Sequence, residues 1–321
     1  MEVHEDNATL QHAQGNASMP MMPGFESPLL SRQPWYWIVR SVIALVTIFG
    51  NGFVIYLISA RQVLREQASP NWFVMSMALA DFCVGAINFP LNMLYAFTPH
   101  ESERELHWVI LGFFMNIFLD ASVTNLSLLT LDRYLAVVHP FKYENFMNPS
   151  KALLFIVLAW GVTIILEIPY LVLDVQNASD EAYFVNLIIY MAIFAFLPSF
   201  FMIYSYARIL CIARRHKKKI RKEKKQIASN NPSRKRMAQS GNKNGALVTV
   251  GTIVGIFLLC NSAMQYHLTC FISPYCEITS TSFYVFLLLR YLNSTPNFVI
   301  YAFMKKDFRR ELRKSIRRAL R

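Results

Sequence analysis

Aspartates at 81, 120 and 132, Glu167, and arginines at 133 and 290 all lie within long apolar runs. Charges at such positions are costly, and where they persist they pair, bind ions or line a pathway. The types and spacings fit ion pairing and ligand binding better than bond-making chemistry. No Ser, Thr or Cys nucleophile stands with a base, no Cys/His set has metal-site spacing, and no glycine-rich phosphate loop occurs. Amides and hydroxyls gather in the segment NSTPNFVIY, which contributes Asn293, Ser294 and Asn297 and ends at Tyr301.

The elements that must carry these groups are membrane spans. Apolar residues make up 54% of the 321 and charged residues 16%, against about 45–50% and about 25% in soluble domains. A helix crosses the hydrocarbon core in about 20 apolar residues. Seven stretches meet that need: Trp37–Ala60, Trp72–Phe97, Trp108–Val138, Ala152–Leu173, Phe184–Cys211, Ala246–Phe271 and Ser282–Phe303. Their length and lack of period-two alternation predict helices and not barrel strands. The fold expected is an all-α seven-helix membrane bundle.

Lys and Arg crowd 214–245, where Glu223 is the sole acid, and also the tail 305–321. The segments 98–107 and 174–183 are acidic instead. Basic loops stay cytoplasmic, so the N-terminus is expected outside and the tail inside, with the chain multi-pass in the plasma membrane. Three parts follow: an extracellular tail (1–34), the membrane domain (35–304) with its basic third cytoplasmic loop (214–245), and an amphipathic helix (305–321). The net charge of +12 suits an anionic inner leaflet; the basic runs lack the aromatic interleaving of a nucleic-acid binder. Residues 1–34 hold no apolar run, so the first span is expected to act as the targeting signal. Sequons at Asn7, Asn16 and Asn177 fall outside the membrane and suit glycosylation. Those at Asn125 and Asn293 fall at membrane depth and do not.

The polar residues occur in a recognisable order: GNGFV with Asn51, MALAD with Asp81, LDRYLAVVHPF with Asp132, Arg133 and Tyr134, then Trp160, FLPSFFMIYSY with Pro198 and Tyr206, and NSTPNFVIY. Taken together over residues 35–321, this resembles the rhodopsin-like (class A) G-protein-coupled receptors. The resemblance implies an extracellular ligand and a heterotrimeric G protein as partners. It implies that Arg133 is held at rest by Asp132 and released to meet Tyr206, Tyr301 and the G protein. Phe141 matches the loop residue that inserts into the G protein, and Phe257 the core aromatic that repacks on activation. Asp81, Ser122, Asn293, Ser294 and Asn297 match a water-filled pocket that can hold a sodium ion; a neutral, hydrogen-bonded Asp81 is the alternative.

Several positions depart from that pattern. Phe298 stands where a proline is expected, and Pro296 lies two residues ahead of it, so the bend of the last span should begin earlier. Asn261 replaces the aromatic of the sixth span and Ala263 its proline, which leaves Gly251, Gly255 or Ser262 to supply flexibility. Trp108 stands near a position where relatives carry a cysteine, and the second outside loop has none. A disulfide between Cys270 and Cys276 in CFISPYC is expected instead. These cysteine features resemble the melanocortin, adenosine and lipid receptor subgroup, although Leu91 departs from the melanocortin calcium site.

For the ligand, Met115 occupies the position of the amine counter-ion, and the seventh span has no lysine for a retinal Schiff base. Arg290 and Tyr291 lie about two turns in from the outer end, with Asp120 and Glu167 in neighbouring spans. Arg290 either attracts an anionic ligand group or pairs internally with one of those acids. Met115, Phe113, Phe114, Phe194 and Tyr266 are candidates for an apolar lining. A ligand-independent receptor is a second reading. A transporter or channel using Asp81, Asp120, Glu167 and Arg290 as an ion path is a third.

Overall fold

A computed structural model describes residues 34–62, 64, 70–97, 101–176, 178–230, 245–272, 279–298 and 306–319. Among these every long element is a helix. We number them α1 (Pro34–Ala60), α2 (70–97), α3 (Glu101–Val138), α4 (Pro140–Phe146), α5 (Pro149–Val175), α6 (180–230), α7 (Gly245–Ile272), α8 (Ser280–Leu292) and α9 (Lys306–Ala319). Five helices, α1, α2, α3, α5 and α6, are long and apolar enough to cross a membrane. The described apolar stretch of α7, Gly251–Ala263, is shorter, and α8 leads into residues beyond those described.

The bundle is arranged around α3, which packs against α2, α5, α6 and α7; α1 packs on α2 and closes against α8. Large apolar side chains point outward, among them Phe49, Phe200 and Leu259, each more than two-thirds exposed. Asn51, Asp81, Asn88, Asp120, Asn125 and Glu167 are instead buried inside. This inversion of the soluble pattern suits lipid as the solvent. Association in lipid rests on close packing and polar contacts rather than on expulsion of apolar surface from water.

Two helices carry π-bulges, α2 at Val84–Asn88 and α6 at Met191–Phe196. Such wide turns release backbone groups and recur at functional sites. The basic segment from Arg214 is not wholly a loop, because α6 continues to Asn230. Lys, Arg, Glu and Gln are good helix formers, so the helix outruns its membrane span.

The last span breaks where the shifted proline predicts. Regular helix ends at Leu292, and Ser294 N–H and Thr295 N–H reach back only three residues, to the carbonyls of Tyr291 and Leu292, at 3.1 Å each. Helix resumes at Pro296. Proline lacks an N–H and disfavours helical geometry in the residue before it, which places the break at 293–295. Phe298, in the expected proline's place, lies directly against Gly50: a Cβ on Gly50 would fall 2.1 Å from its ring. Only a glycine permits that approach. Thr47 and Thr295 hydroxyls meet at 2.7 Å, and Asn51 Nδ2 donates to the Ser294 carbonyl at 3.2 Å. The seam between α1 and the broken helix is thus both tight and polar.

Candidate functional site

The end of the bundle that carries Arg133 is built from α3 and α4. Arg133 Nε donates to Asp132 Oδ2 at 2.9 Å, and its Nη2 makes a second, shorter contact with the same oxygen. The other oxygen, Oδ1, accepts from the Tyr143 hydroxyl at 2.8 Å. Proline at the first position of α4 pre-sets the helix that brings Tyr143 back under Asp132. Asp132 is fully buried while Arg133 keeps part of its surface open. A charge-assisted bond to a desolvated carboxylate is among the stronger hydrogen bonds, so Arg133 is held. Tyr206 is buried close by, its hydroxyl without a partner among the described residues, over Gly251, whose Cβ would lie 3.1 Å from the ring. Tyr134 stacks obliquely on Tyr204, and Phe141 is 84% exposed. Tyr301 lies outside the described residues.

At mid-depth, Asp81 is buried on α2. Asn297 Nδ2 donates to its Oδ2 at 2.8 Å, and Ser122 and Ser294 face the carboxylate. Asp81 Oδ1 and Asn51 Oδ1 are buried without a partner among the described residues, and Ser294 Oγ has none beyond the carboxylate it faces. These are acceptor oxygens converging from α1, α2 and the broken helix, a donor set that a small hard cation or water satisfies. Asn293, which the sequence grouped with them, lines the cavity above.

That cavity, about 50 Å³, is bounded by Leu119, Asp120, Tyr190, Phe257, Asn261 and Arg290 among others. It has room for a few waters. Arg290 Nη2 donates to Asn116 Oδ1 at 3.0 Å and to the Tyr190 hydroxyl at 3.1 Å. Tyr190 in turn donates to Asp120 Oδ1 at 3.1 Å, so a tyrosine hydroxyl stands between the arginine and the acid. Asp120 and Glu167 lie side by side, Glu167 also faces Asn116, and both acids stand close to the Arg290 charge. The two readings of Arg290 therefore merge: it faces the cavity and is also tied inward, through Tyr190.

The remaining ligand candidates separate from this cavity. Tyr291 donates to Met115 Sδ at 3.1 Å and accepts from Asn92 Nδ2 at 3.1 Å, forming a packed cluster of α2, α3 and α8. Phe113 packs on that cluster, and Phe114 faces partly outward. Tyr266 is 61% exposed and lies against Phe286. Of the aromatic candidates, Phe194 lines the cavity. Cys270 is disulfide-bonded, whereas Cys276, Asn7, Asn16 and Asn177 lie outside the described residues.

Sequence reasoning had marked Asn261 only as a departure. It donates to Ser199 Oγ at 2.9 Å and to the Ala195 carbonyl at 3.3 Å. Ala195 lies in the π-bulge of α6, so Asn261 fastens α7 to the carbonyl of a widened turn. Asn116, Tyr190 and Arg40 were missed. Arg40 had a readable signal, a lone cation in the apolar run WIVRSVIALV; the polar groups of Asn116 and Tyr190 carried none.

Comparison with known proteins accounts for this arrangement. Residues 50–301 match the family of 7 transmembrane receptors (rhodopsin family). The chain is 26% identical over 308 residues to the melatonin receptor type 1A of Gallus gallus, covering 89% of this chain and 82% of that one. It is 27% identical over 300 residues to trace amine-associated receptor 1 of Macaca mulatta, covering 86% and 85%. A D(1)-like dopamine receptor of Takifugu rubripes is 27% identical over 320 residues, covering 84% and 67%. With a buried polar core, a held Asp132–Arg133 pair and a match over most of its length, the chain belongs to the rhodopsin family of seven-transmembrane, G-protein-coupled receptors.

Proposed function

We propose that this receptor responds to a small extracellular molecule whose polar group engages Arg290, and passes the signal to a heterotrimeric G protein through release of Arg133. The observation that carries the ligand reading is the Arg290–Tyr190–Asp120 chain on the wall of a cavity. Arg290 is held there by neutral oxygens, so an anionic or strongly accepting group gains from replacing them. The relatives are named for melatonin, trace amines and dopamine, all small molecules, which supports a small ligand. Room for a few waters is less than the 300–1,000 Å³ of a typical ligand site. Binding therefore has to favour a more open arrangement, which is the differential affinity that shifts a two-state receptor.

The signal has a short path. Phe257 lines the cavity and packs in the same core as Tyr206, one layer above Arg133. In this reading Asp81, with Ser122, Ser294 and Asn297, holds a sodium ion that favours the resting state, supported by the unpaired acceptor oxygens there; Asp81→Asn should remove any inhibition of exchange by sodium. The receptor acts by binding and not by catalysis. Its N-terminus, with sugars at Asn7, Asn16 and Asn177 and a Cys270–Cys276 bridge nearby, lies outside the plasma membrane. The basic end of α6 and helix α9 meet anionic inner-leaflet lipid and not nucleic acid. Lys314 donates to Glu311 at 2.8 Å, and Arg61 donates to Ser315 at 2.9 Å, fixing α9 to the end of α1.

Guanine-nucleotide exchange on a panel of G proteins, against a library of small acids and amines, tests the reading. Arg290→Gln should abolish the response to the active compound while surface expression stays normal. A response lost instead in Asp120→Asn and kept in Arg290→Gln would assign a basic ligand. Ion flux with no exchange on any G protein would overturn the receptor reading.

A further inference from the structure

Arg40 serves neither the cavity nor the Arg133 contact. It lies about a quarter of the way along α1, which at 1.5 Å per residue is in its outer part, and it is only 1% exposed. Its guanidinium sits over the Tyr291 ring and within 6.0 Å of the Phe89 ring. Yet Nε and Nη2 have no hydrogen-bond partner among the described residues. Among those residues the titratable groups that bear on it are Tyr291 and Tyr36, and neither is a carboxylate. Aromatic faces ease the charge, but they do not satisfy in-plane N–H donors.

The neighbours add to this. Tyr36, one turn earlier on α1 and fully buried, brings its hydroxyl oxygen to the guanidinium, which leaves its own O–H without an acceptor among the described residues. Asn88, fully buried in the π-bulge of α2 that packs on α1, has both amide atoms without a partner among the described residues. Arg40, Tyr36 and Asn88 thus supply buried donors where α1 and α2 meet, with Tyr291 of α8 beneath the guanidinium. Trp35 and Tyr284 close the outer side against Tyr36, with ring centroids at 6.3 and 5.3 Å. A buried guanidinium with several free donors and no acid beside it among the described residues calls for a negative charge.

We propose that Arg40, Tyr36 and Asn88 form a second anion site, beneath the aromatic cover and separate from the Arg290 cavity. Its occupant is a small monovalent anion, either free chloride from the extracellular medium or the carboxylate of a bound molecule. Either one accepts from the guanidinium, the phenol and the amide without a proton transfer. Burial under the rings keeps large or doubly charged anions out.

The test uses the full-length receptor in lipid nanodiscs, with thermal unfolding as readout. Chloride is titrated against gluconate at constant ionic strength, and formate is titrated in the same way. An anion at concentration c that binds only the folded state raises Tm as RT ln(1 + c/Kd), by about 2–4 °C at a few times its Kd. A rise with chloride assigns the free ion, and a rise with formate alone assigns a ligand carboxylate. In Arg40→Gln the rise should vanish. If that variant does not fold, Asn88→Leu keeps the cation and should move the onset of the rise to a several-fold higher concentration. Equal Tm in chloride, formate and gluconate, or an unchanged rise in Arg40→Gln or in Asn88→Leu, overturns the site.

Discussion

Arg133 and Arg290 sit at opposite ends of the same bundle and are neutralised in opposite ways. Arg133 is held by the residue before it in sequence, and one further bond from Tyr143 steadies that acid. Arg290 is held by Asn116 of α3 and Tyr190 of α6, and reaches Asp120 only through the tyrosine hydroxyl. The first contact lies within one helix and does not depend on the spacing of the others. The second exists only while α3, α6 and α8 keep their present spacing. The Asp132–Arg133 pair is therefore a local lock, and the Arg290 cluster is a gauge of how three helices stand.

The sharpest way to break this contrast is to remove the local charge. Asp132→Asn should raise ligand-independent nucleotide exchange, by roughly 5- to 150-fold if the pair carries about 1–3 kcal/mol of coupling. No increase would mean that the pair does not restrain the receptor. Packing can be separated from charge at Gly50, where an added methyl meets the Phe298 ring. Gly50→Ala should cost about 1–3 kcal/mol and lower Tm without altering either arginine's partners; an unchanged Tm would mean that the seam yields freely. The two tyrosines allow a matched pair of tests. Tyr190→Phe should cost about 1.5–3 kcal/mol, since it removes bonds to two charged groups, and Tyr143→Phe less, with one. Equal losses in Tm would erase the distinction between gauge and lock.

The smallest effect is expected at Glu311 on α9. Lys314, donating to it, holds its carboxyl below the ordinary value. A carboxyl so lowered contributes its stabilisation above the unfolded value and loses it as pH falls through the folded one. Attachment of α9, followed by a fluorophore on that helix, should therefore loosen on acidification below the usual glutamate range. In Glu311→Gln that step should be absent.

The same contrast explains what was legible. Asp132 and Arg133 are adjacent, so their pairing could be read from the sequence. The apolar lengths gave the spans, and the proline shift gave the break at 293–295, because each is a property of local chain. Tyr143, Asn116 and Tyr190 carry no such mark, since a polar group becomes a partner only when the bundle brings it to one. Met115, Tyr291 and Tyr266 were read by depth along a helix, but which way each points is decided by its neighbours. Arg40 could have been found by the rule that drew attention to Arg290. The continuation of α6 to Asn230 shows propensity overriding an expectation based on charge.

The seating of Phe298 against Gly50 has a consequence for movement. The chain is hinged at 293–295, and just below the hinge it is wedged into the first helix. Any swing of the lower half of the last span must then pivot about that wedge, like a lever whose fulcrum is a single missing methyl group. The torque available for rearranging the end that carries Arg133 is set by a glycine on α1, a helix that contributes no residue to the Arg290 cavity or to the Asp132–Arg133 pair.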